Sequence, residues 1–458
     1  FTTTGEYGGI GASIKKLNDK MIVTELFESS PALKAGVLAG DEIITIDKIK
    51  VEDKTLEEVG TLLKGPSESK ILLEIKREEV TIIKNVVREV IQIPAVRFFK
   101  KISQEIGYIK LNSFTTTAAS EFKSAFLKLR EEKLEKLIID LRSNGGGLLN
   151  EAVKIVNLFV PKGELVVSTK SRNEQMNRTY ICRDQPLDTI IPIIVLIDEM
   201  SASASEIVAG SFQDLDRALI IGNTSYGKGL VQQTKQVSFG GQIKLTVAKY
   251  YTPSGRCIQK IDYSNPENGK SMKIEDSLVS KFKTKNGREV TDSRGIEPDI
   301  KIEPDYFNAI TEALLRDEII FDFTNKTISH YDTIIPSNFN VSDTTYQKFI
   351  KYVLNQDLDY QTSSNFHFEK LKEVAIKEKY LKENKELFIQ MENKFKTNVE
   401  KDLLKHNEEI KFFLENEIIS RQHFQKGRVE ASLVKDPYIL ESKKVFDVKD
   451  KYNNMLKH

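Results

Sequence analysis

Residues 190–214 read IIPIIVLIDEMSASASEIVAGSFQD. The apolar run Ile193–Ile197 predicts a buried strand, and the small residues after it lead into a helix expected over Ala204–Asp214. Ser203 would stand at the junction, where backbone N–H groups converge and the helix dipole favours negative charge. The spacing Ser203-x-x-Glu206 is also that of a capping box, which merely starts a helix, so both interpretations stay open.

Strand and helix alternate on both sides of this stretch, from about residue 96 to residue 302. The further elements expected there are strands over Ile106–Leu111, Leu137–Leu141 and Leu219–Ile221 and a helix over Ala118–Lys133. This alternation predicts an α/β core. The polar and charged stretch 261–292 predicts a surface loop or insertion.

A glycine-rich segment follows one of these strands and reads DLRSNGGG from Asp140 to Gly147. Three successive glycines suit a backbone that must bring N–H groups against a ligand oxygen. A flexible loop is the alternative, and Asp140 with Arg142 would then be a structural ion pair.

A second glycine-rich segment, GNTSYGKG, runs from Gly222 to Gly229. It matches a phosphate-binding loop except that Gly229 stands where a hydroxyl should hold Mg²⁺, and the next residues are β-like. Glycines on both sides of Lys228 would let other segments pass close and confine the amine. Desolvation lowers the pKa of a lysine, which makes a general base; a solvated surface lysine is the alternative.

The first ninety residues alternate short β-rich runs with turns. Strands are expected over Met21–Leu26, Glu42–Ile46 and Lys70–Lys76, and a helix over Leu56–Leu63 with Thr55 as its N-cap. The sequence Gly8-Gly9-Ile10-Gly11 can form a backbone nest for a terminal carboxylate. The strand after it can pair with an extended peptide.

The last third of the chain is different because 23 of the 24 glycines lie at or before Gly295 and only Gly427 comes later. Glycine and proline, the residues that usually mark turns, are therefore sparse between residues 336 and 437, which predicts long helices. Their apolar stripes would pack on one another or bind a partner, and both possibilities stay open.

Composition excludes several classes of protein. The 458 residues include 68 Lys and Arg and 67 Asp and Glu, so the chain lacks the excess of positive charge that is typical of nucleic-acid-binding proteins. No apolar run is long enough to span a membrane. The two cysteines, Cys182 and Cys257, are too few for a cysteine-rich zinc site and are expected to be free thiols. The first residue is Phe1, so we expect a processed form whose export signal is out of view.

The five histidines exclude a further class of site. None precedes His330. A Ser-His-Asp triad or an HExxH zinc site in the α/β core is therefore excluded unless the tail folds over it.

The motifs resemble a known family when they are taken together. Residues 5–90 resemble a PDZ domain, and DLRSNGGG, SASASEIVAG and SYGKGLVQQ, in that order, resemble the carboxyl-terminal processing (tail-specific) serine proteases. Tyr251–Arg256 and Gly295–Asp299 match later landmarks of that family. The resemblance covers residues 1–303 and implies a multidomain α/β fold: a PDZ domain (1–93), a Ser/Lys protease core (94–303) and a C-terminal helical domain (304–458).

Carried over residue by residue, the resemblance implies roles for a small set of positions. The nucleophile falls on Ser203, the general base on Lys228, the residue that orients the lysine on Gln232 and an acidic position implicated in some members on Asp214. The oxyanion hole falls on the backbone N–H groups of Gly146 and Ala204, and the carboxylate nest on Gly8, Gly9, Ile10 and Gly11. The family usually has Pro where Gly145 stands, which is expected to loosen the oxyanion loop, and Ser where Cys257 stands, which is remote.

The resemblance implies a serine endopeptidase that acts on proteins with free C-termini, needs no cofactor or metal and is exported to a bacterial periplasm or envelope. The C-terminal helices would supply a homo-oligomer contact or an adaptor platform. Two other classes stay open: a PDZ-containing peptide-binding scaffold on an inactive core, and an NTPase that uses the loop Gly222–Lys228.

Overall fold

A computed structural model describes residues 5–267, 270–303, 306–328, 331, 333–448 and 450–457, so Phe1, His330 and His458 lie outside the described residues. Internal contacts divide the chain into two compact units. The first comprises Phe1–Tyr7, Gln92–Pro304 and Lys435–His458, and the second comprises Gly8–Ile91 and Asp305–Val434.

Both units contain β-strands, which are numbered along the chain. They are β1 Glu6–Gly9, β2 Ala12–Leu17, β3 Lys20–Leu26, β4 Glu42–Ile46, β5 Ile49–Lys50, β6 Lys70–Arg77, β7 Val80–Val87, β8 Glu89–Gln92, β9 Val96–Lys101, β10 Ile106–Leu111, β11 Lys136–Asp140, β12 Leu165–Lys170, β13 Arg178–Ile181, β14 Ile193–Ile197, β15 Leu219–Gly222, β16 Leu230–Gln236, β17 Gln242–Tyr251, β18 Ile261–Glu267, β19 Lys270–Lys273, β20 Lys281–Lys283, β21 Glu289–Thr291 and β22 Ile300–Lys301.

Both units also contain α-helices, numbered in the same way. They are α1 Pro31–Lys34, α2 Leu56–Leu63, α3 Ala118–Glu131, α4 Leu149–Asn157, α5 Ala204–Asp214, α6 Ala309–Arg316, α7 Ile319–Thr327, α8 Asp343–Leu354, α9 Ser363–Lys377, α10 Tyr380–Glu383, α11 Lys385–Phe395, α12 Val399–Lys405, α13 Asn407–Ser432, α14 Pro437–Asp447 and α15 Lys451–Lys457.

The central sheet of the first unit has the order β22-β15-β14-β11-β10-β9. All neighbours pair in parallel except β9, which is antiparallel to β10. The carboxyl ends of β11, β14 and β15 therefore meet at one edge of the sheet, and this edge is where ligand sites form in parallel sheets. The predicted α/β core is confirmed. The segment 261–292, predicted as a surface loop or insertion, contains the short strands β18 to β21 among its described residues.

Buried apolar side chains of this sheet pack against α3, α4 and α5. Phe159, just beyond α4, lies edge-on to Phe126 of α3 and Phe212 of α5, with ring centroids 5.0 and 6.2 Å away. Edge-to-face aromatic pairs add about 0.5–1.5 kcal/mol to the gain from burial alone. The three helices are thereby held against one face of the sheet.

A second sheet of the same unit, in the order β13-β12-β17-β16, stands beside the core. Strand β12 contacts α4 and α5, and β17 pairs with β12 from Ser168 to Lys170. Strand β16 begins two residues after Lys228, so the segment that carries this lysine enters the edge strand of the sheet.

The first part of the second unit has the sheet order β2-β3-β4-β6-β7, with β5 paired to β4. Thr55 caps α2 as predicted: the Thr55 hydroxyl accepts from the Glu58 N–H, and the Glu58 carboxylate accepts from the Thr55 N–H. Strand β2 lies at one end of the sheet order beside α2, and Ala12 and Ile14 on this strand are half-buried. An edge strand next to a helix is the arrangement that strand addition of a peptide requires.

The helical part of the second unit differs from the expected long helices. Between residues 343 and 405 the helices are short to medium in length, and only α13 is long. Helix α13 is interrupted at Phe424, where φ is 53° and ψ is −153°. Gly427 is needed at this bend because a Cβ there would lie 2.2 Å from the Cβ of His423.

Helices α14 and α15 pack against the central sheet, although the sequence grouped them with the helical domain. The Tyr452 hydroxyl donates to the Ile193 carbonyl at 3.0 Å, and Asp436 pairs with Arg142 at 2.7 Å. The predicted boundaries at residues 93 and 303 stay predictions. Among the described residues no helix is both long and apolar enough to cross a membrane.

Both cysteines are free thiols in the structure. Cys182 is fully buried, and this burial raises the pKa of its thiol to about 11. Cys257 is half-buried, and burial likewise raises its pKa. High pKa values keep both groups in the less reactive thiol form at neutral pH.

We predict that Asp140→Asn lowers the free energy of unfolding by about 3 kcal/mol, because it removes the charge of a buried ion pair. Asp140 is fully buried and accepts from Tyr108 and Arg142, each at 2.6 Å. Burial alone would raise its pKa, but the charges of Arg142 and Lys110 and these hydrogen bonds hold that pKa well below its usual range.

The stabilisation from Asp140 is present above about pH 4, the range of an unfolded Asp, and is lost as the pH falls toward the folded-state pKa. Urea unfolding at pH 7 and at pH 3 measures it, with the exposed Glu135→Gln as the control. The difference in free energy of unfolding between the wild type and Asp140→Asn should be smaller at pH 3 than at pH 7. Identical midpoints at pH 7 would show that the pair contributes nothing.

Candidate functional site

Three loops at the carboxyl ends of β11, β14 and β15 form the candidate site, as the parallel pairing of these strands requires. Each loop carries one of the motifs from the sequence: residues 141–147, 198–203 and 223–228. Hydrogen bonds tie the first two together, since the Ser205 hydroxyl and the Ala202 N–H both donate to the Asn144 carbonyl, at 2.8 and 3.0 Å. The Tyr226 N–H donates to the Ser201 carbonyl at 3.0 Å and joins the third loop to the second.

Ser203 stands directly before α5 in an unusual backbone conformation, with φ 59° and ψ −111°. Such conformations cost about 1–3 kcal/mol and persist only where surrounding contacts impose them. The Ser203 N–H donates to the Glu206 carboxylate at 2.7 Å, so Ser203 and Glu206 stand in the relation of a capping box.

Glu206 is fully buried beneath the loops and accepts four hydrogen bonds. Besides the Ser203 N–H, its partners are the Ser225 hydroxyl at 2.6 Å and the N–H groups of Gly227 and Lys228 at 2.7 and 2.9 Å. Burial raises the pKa of this carboxyl, and the four donors partly offset that rise. Glu206 thus connects the Ser203 turn to the Lys228 loop, a role that the sequence spacing alone did not distinguish from helix capping.

Lys228 is half-buried and lines a groove of about 980 Å³. Gly227 and Gly229 pass close to the segment 258–260: a Cβ on Gly227 would lie 2.4 Å from the Lys260 Cβ, and one on Gly229 would lie 2.8 Å from the Gln259 nitrogen. Because Gly227 and Gly229 have no side chains, the segment 258–260 passes close to the Lys228 loop, as the sequence predicted. Among the described residues no carboxylate lies within ion-pair distance of the Lys228 amine.

The glycine loop lies against the Ser203 turn. A Cβ on Gly146 would lie 2.9 Å from both the Ala204 nitrogen and the Ser203 Cβ, and φ at Gly146 is +99°. The Ala204 N–H is the first of its helix and has no acceptor within that helix. In this structure the Gly146 N–H donates to the buried Asn144 side chain at 2.9 Å, a contact that the sequence analysis did not anticipate.

The other predicted site residues fall in different places. Gln232 is exposed on β16 and lines the same groove as Lys228, and in the described part of the chain no hydrogen bond joins the two side chains. Asp214 lies at the opposite end of α5 from Ser203. It is buried, pairs with Arg256 at 2.8 Å and accepts from the Ser254 N–H at 3.0 Å. The structure therefore brings Ser203, Lys228 and Gly146 together and leaves Asp214 in a separate ion pair.

The residues of the expected carboxylate nest lie before β2. Ile10 is buried, and its carbonyl accepts from the Ala32 N–H at 2.9 Å. Gly11 has φ +69°, and a Cβ there would lie 2.5 Å from the Ser30 Cβ. Gly8 passes so close to Gly65 that a Cβ would overlap the Gly65 carbonyl. Gly8 and Gly9 therefore end β1, Ile10 and Gly11 connect it to β2, and Gly8 and Gly11 are positions that only glycine fits.

Comparison with known proteins identifies three domains in the chain. Residues 105–265 match the model of peptidase family S41, residues 22–77 match a PDZ domain, and residues 310–446 match the "Probable PDZ-protease, C-terminal helical domain". The chain carries a peptidase family S41 domain. The S41 domain contains all three loops of the site, and it is flanked by the PDZ and helical domains that the sequence predicted.

Two curated relatives carry matching names. A "Carboxy-terminal-processing protease" of Bartonella bacilliformis is 39% identical over 288 residues, which cover 62% of this chain and 64% of that protein. A "Probable CtpA-like serine protease" of Staphylococcus aureus is 34% identical over 259 residues, covering 56% and 51%. The chain thus spans between half and two thirds of these relatives. A solved "photosystem II D1 C-terminal processing protease" is 26% identical, covering 66% of this chain and 74% of that one, with a TM-score of 0.37.

Among the described residues, no group of His, Cys, Asp or Glu side chains is arranged to hold a metal ion.

We predict that Gly146→Ala destabilises the S41 domain by more than about 2 kcal/mol, because the side chain would require a left-handed backbone and would overlap the Ser203 turn. Gly145→Ala is the matched control, since a Cβ there meets nothing within 4 Å. Urea midpoints measure both variants. Equal midpoints for the two would contradict the close packing of the loops.

Proposed function

We propose that this protein is a serine endopeptidase that cleaves protein substrates at or near their C-termini. The observation that carries the proposal is the convergence of Ser203, Lys228 and Gly146 at one edge of the parallel sheet, with Glu206 hydrogen-bonded to both the Ser203 and Lys228 segments. The names of the relatives support the same class of reaction. An S41 domain without histidine before residue 330 needs another base beside the serine, and Lys228 is the amine in that position.

The proposed reaction begins when the neutral Lys228 amine takes the proton of the Ser203 hydroxyl as its oxygen attacks the scissile carbonyl. The N–H groups of Gly146 and Ala204 then receive the negative charge that develops on the carbonyl oxygen. Because the Gly146 N–H donates to Asn144 in this structure, that hydrogen bond must open or be shared when substrate binds. Lys228 next protonates the leaving amine, and water hydrolyses the acyl-enzyme.

The groove beside Lys228 would hold the substrate chain. Leu230 and Gln232 line it on the same side as Lys228, while Met200 and Tyr226 expose apolar surface to it. We assign Gln232 a supporting role toward Lys228 that requires a side-chain movement, and we assign no catalytic role to Asp214. The proposed reaction requires no cofactor or metal.

The PDZ domain would select the substrate by its free C-terminus. The carboxylate would bind the segment Gly8–Gly11, and the tail would add as a strand to the edge of β2, in the manner of strand addition. The C-terminal helices would form the contact of a homo-oligomer or bind an adaptor protein. We place the protein in a bacterial periplasm or envelope, on the strength of its family resemblance.

We predict that Ser203→Ala and Lys228→Ala each abolish cleavage of an unstructured protein, with losses of more than about 10⁴-fold in kcat, while both remain folded. Lys235→Ala, which removes an exposed amine on β16, should retain activity. A folded, active Lys228→Ala would refute the assignment of the base.

The same assay separates the peptidase from a peptide-binding scaffold. A scaffold would bind peptides with free C-termini, and neither the wild type nor any variant would cleave them. Nucleotide binding measured by calorimetry tests the NTPase. We expect none, because Gly229 lacks the hydroxyl that would hold Mg²⁺.

We predict that a peptide substrate with an amidated C-terminus is cleaved at least about tenfold less efficiently than the same peptide with a free carboxylate, mainly through a higher KM. The nest of N–H groups would lose a charge-assisted hydrogen bond, which is worth about 1.5–3 kcal/mol. Steady-state kinetics of the full chain on the two peptides measure the effect. Equal efficiencies would remove the PDZ part of the proposal and leave the peptidase intact.

A further inference from the structure

Tyr250, near the end of β17, contacts the carbonyl groups of both residues to which the chemistry is assigned. Its side chain is almost fully buried. The hydroxyl donates to the Lys228 carbonyl, and its oxygen also lies 3.3 Å from the Ser203 carbonyl oxygen. Burial raises the pKa of this phenol well above its usual value, and the nearby Glu206 charge raises it further. The group is therefore a permanent hydrogen-bond donor.

Glu206 contacts the N–H groups of the same two residues, at 2.7 Å from Ser203 and 2.9 Å from Lys228. Glu206 therefore holds the N–H of both residues. Tyr250 has a single hydroxyl proton, which it donates to the Lys228 carbonyl, and the Ser203 carbonyl oxygen lies in contact with the same hydroxyl oxygen. Glu206 and Tyr250 thus lie on either side of φ and ψ in both residues, and the φ of 59° at Ser203 is unfavourable without such surrounding contacts.

We propose that Tyr250 and Glu206 are positioning residues that hold Ser203 and Lys228 in the mutual arrangement needed for proton transfer. This inference rests on the proposed Ser/Lys mechanism. Neither residue is assigned a contact with the substrate, because both act through the positions of Ser203 and Lys228. A displacement of about 1 Å between reacting groups is enough to cost on the order of 100-fold in rate.

Tyr250→Phe tests the inference because it removes one hydroxyl and keeps the ring that fills the core. We expect kcat of the full-length protein to fall about tenfold, the equivalent of one hydrogen bond of about 1.4 kcal/mol, with KM within about twofold of the wild type. The rate at which a small activated ester, p-nitrophenyl acetate, acylates Ser203 with release of p-nitrophenolate should fall by the same factor, since this probe does not depend on the substrate groove. Tyr251→Phe on the same strand is the matched control and should leave both rates unchanged.

The split between kcat and KM separates positioning from a merely structural role. A loss of folded protein would lower the apparent kcat in proportion to the unfolded fraction, so we expect Tyr250→Phe to show its loss in kcat and in acylation rate while its urea midpoint leaves it fully folded under assay conditions. Normal kcat and acylation rate in Tyr250→Phe would overturn the inference while the peptidase proposal stands. A wild type that neither cleaves nor is acylated would instead overturn the proposed function itself.

Glu206→Gln supplies the second arm of the experiment. Its amide keeps the size of the carboxylate but turns an NH₂ group toward main-chain N–H donors, so we expect a larger loss, on the order of 100-fold. If both residues hold the same pair, the combined variant should lose less in acylation rate than the product of the two single losses. If the loss of acylation rate in the combined variant equals the product of the two single losses, the joint role is overturned. If Glu206→Gln does not fold, the Tyr250→Phe comparison decides alone.

Discussion

The site depends on one buried carboxylate. Glu206 lies in the first turn of α5, at the end of the loop that follows β14, and accepts hydrogen bonds from the loop that follows β15. A buried acceptor with this many donors is costly to remove, because each N–H would be left without a partner away from water. The loops at the sheet edge can therefore adopt one arrangement in which every polar group near Glu206 is satisfied. That arrangement places Ser203 and Lys228 side by side in the fold.

Close packing of glycine adds a second constraint on the same loops. Gly146, Gly227 and Gly229 each lie where a Cβ would come within 3 Å of a neighbouring segment. The loops consequently approach one another more closely than any other residue would allow. Gly145 differs, because a Cβ there would meet nothing within 4 Å.

The chain is not arranged as a simple succession of domains. The PDZ and helical segments together form one unit, and the chain returns through α14 and α15 to the S41 domain. Asp436 at the start of α14 pairs with Arg142, which in turn pairs with the buried Asp140 at the end of β11. The base of the glycine loop is thus tied to the last helices of the chain, far away in sequence.

The sequence by itself determined the local elements and the chemistry available to them. Hydrophobic periodicity and capping residues placed β14, α5 and α2 with the bounds observed, and the lack of early histidines directed attention to Lys228. These signals are readable because each depends on residues within a few turns of one another. Only the tertiary structure decided that Glu206 joins two loops and that Asp214 forms an ion pair with Arg256. It also decided that Asn144 accepts from Gly146 and that Tyr250 contacts the main chain of both Ser203 and Lys228. Those pairings depend on which strands become neighbours, and strand order is set by the packing of the whole core rather than by any stretch of the chain.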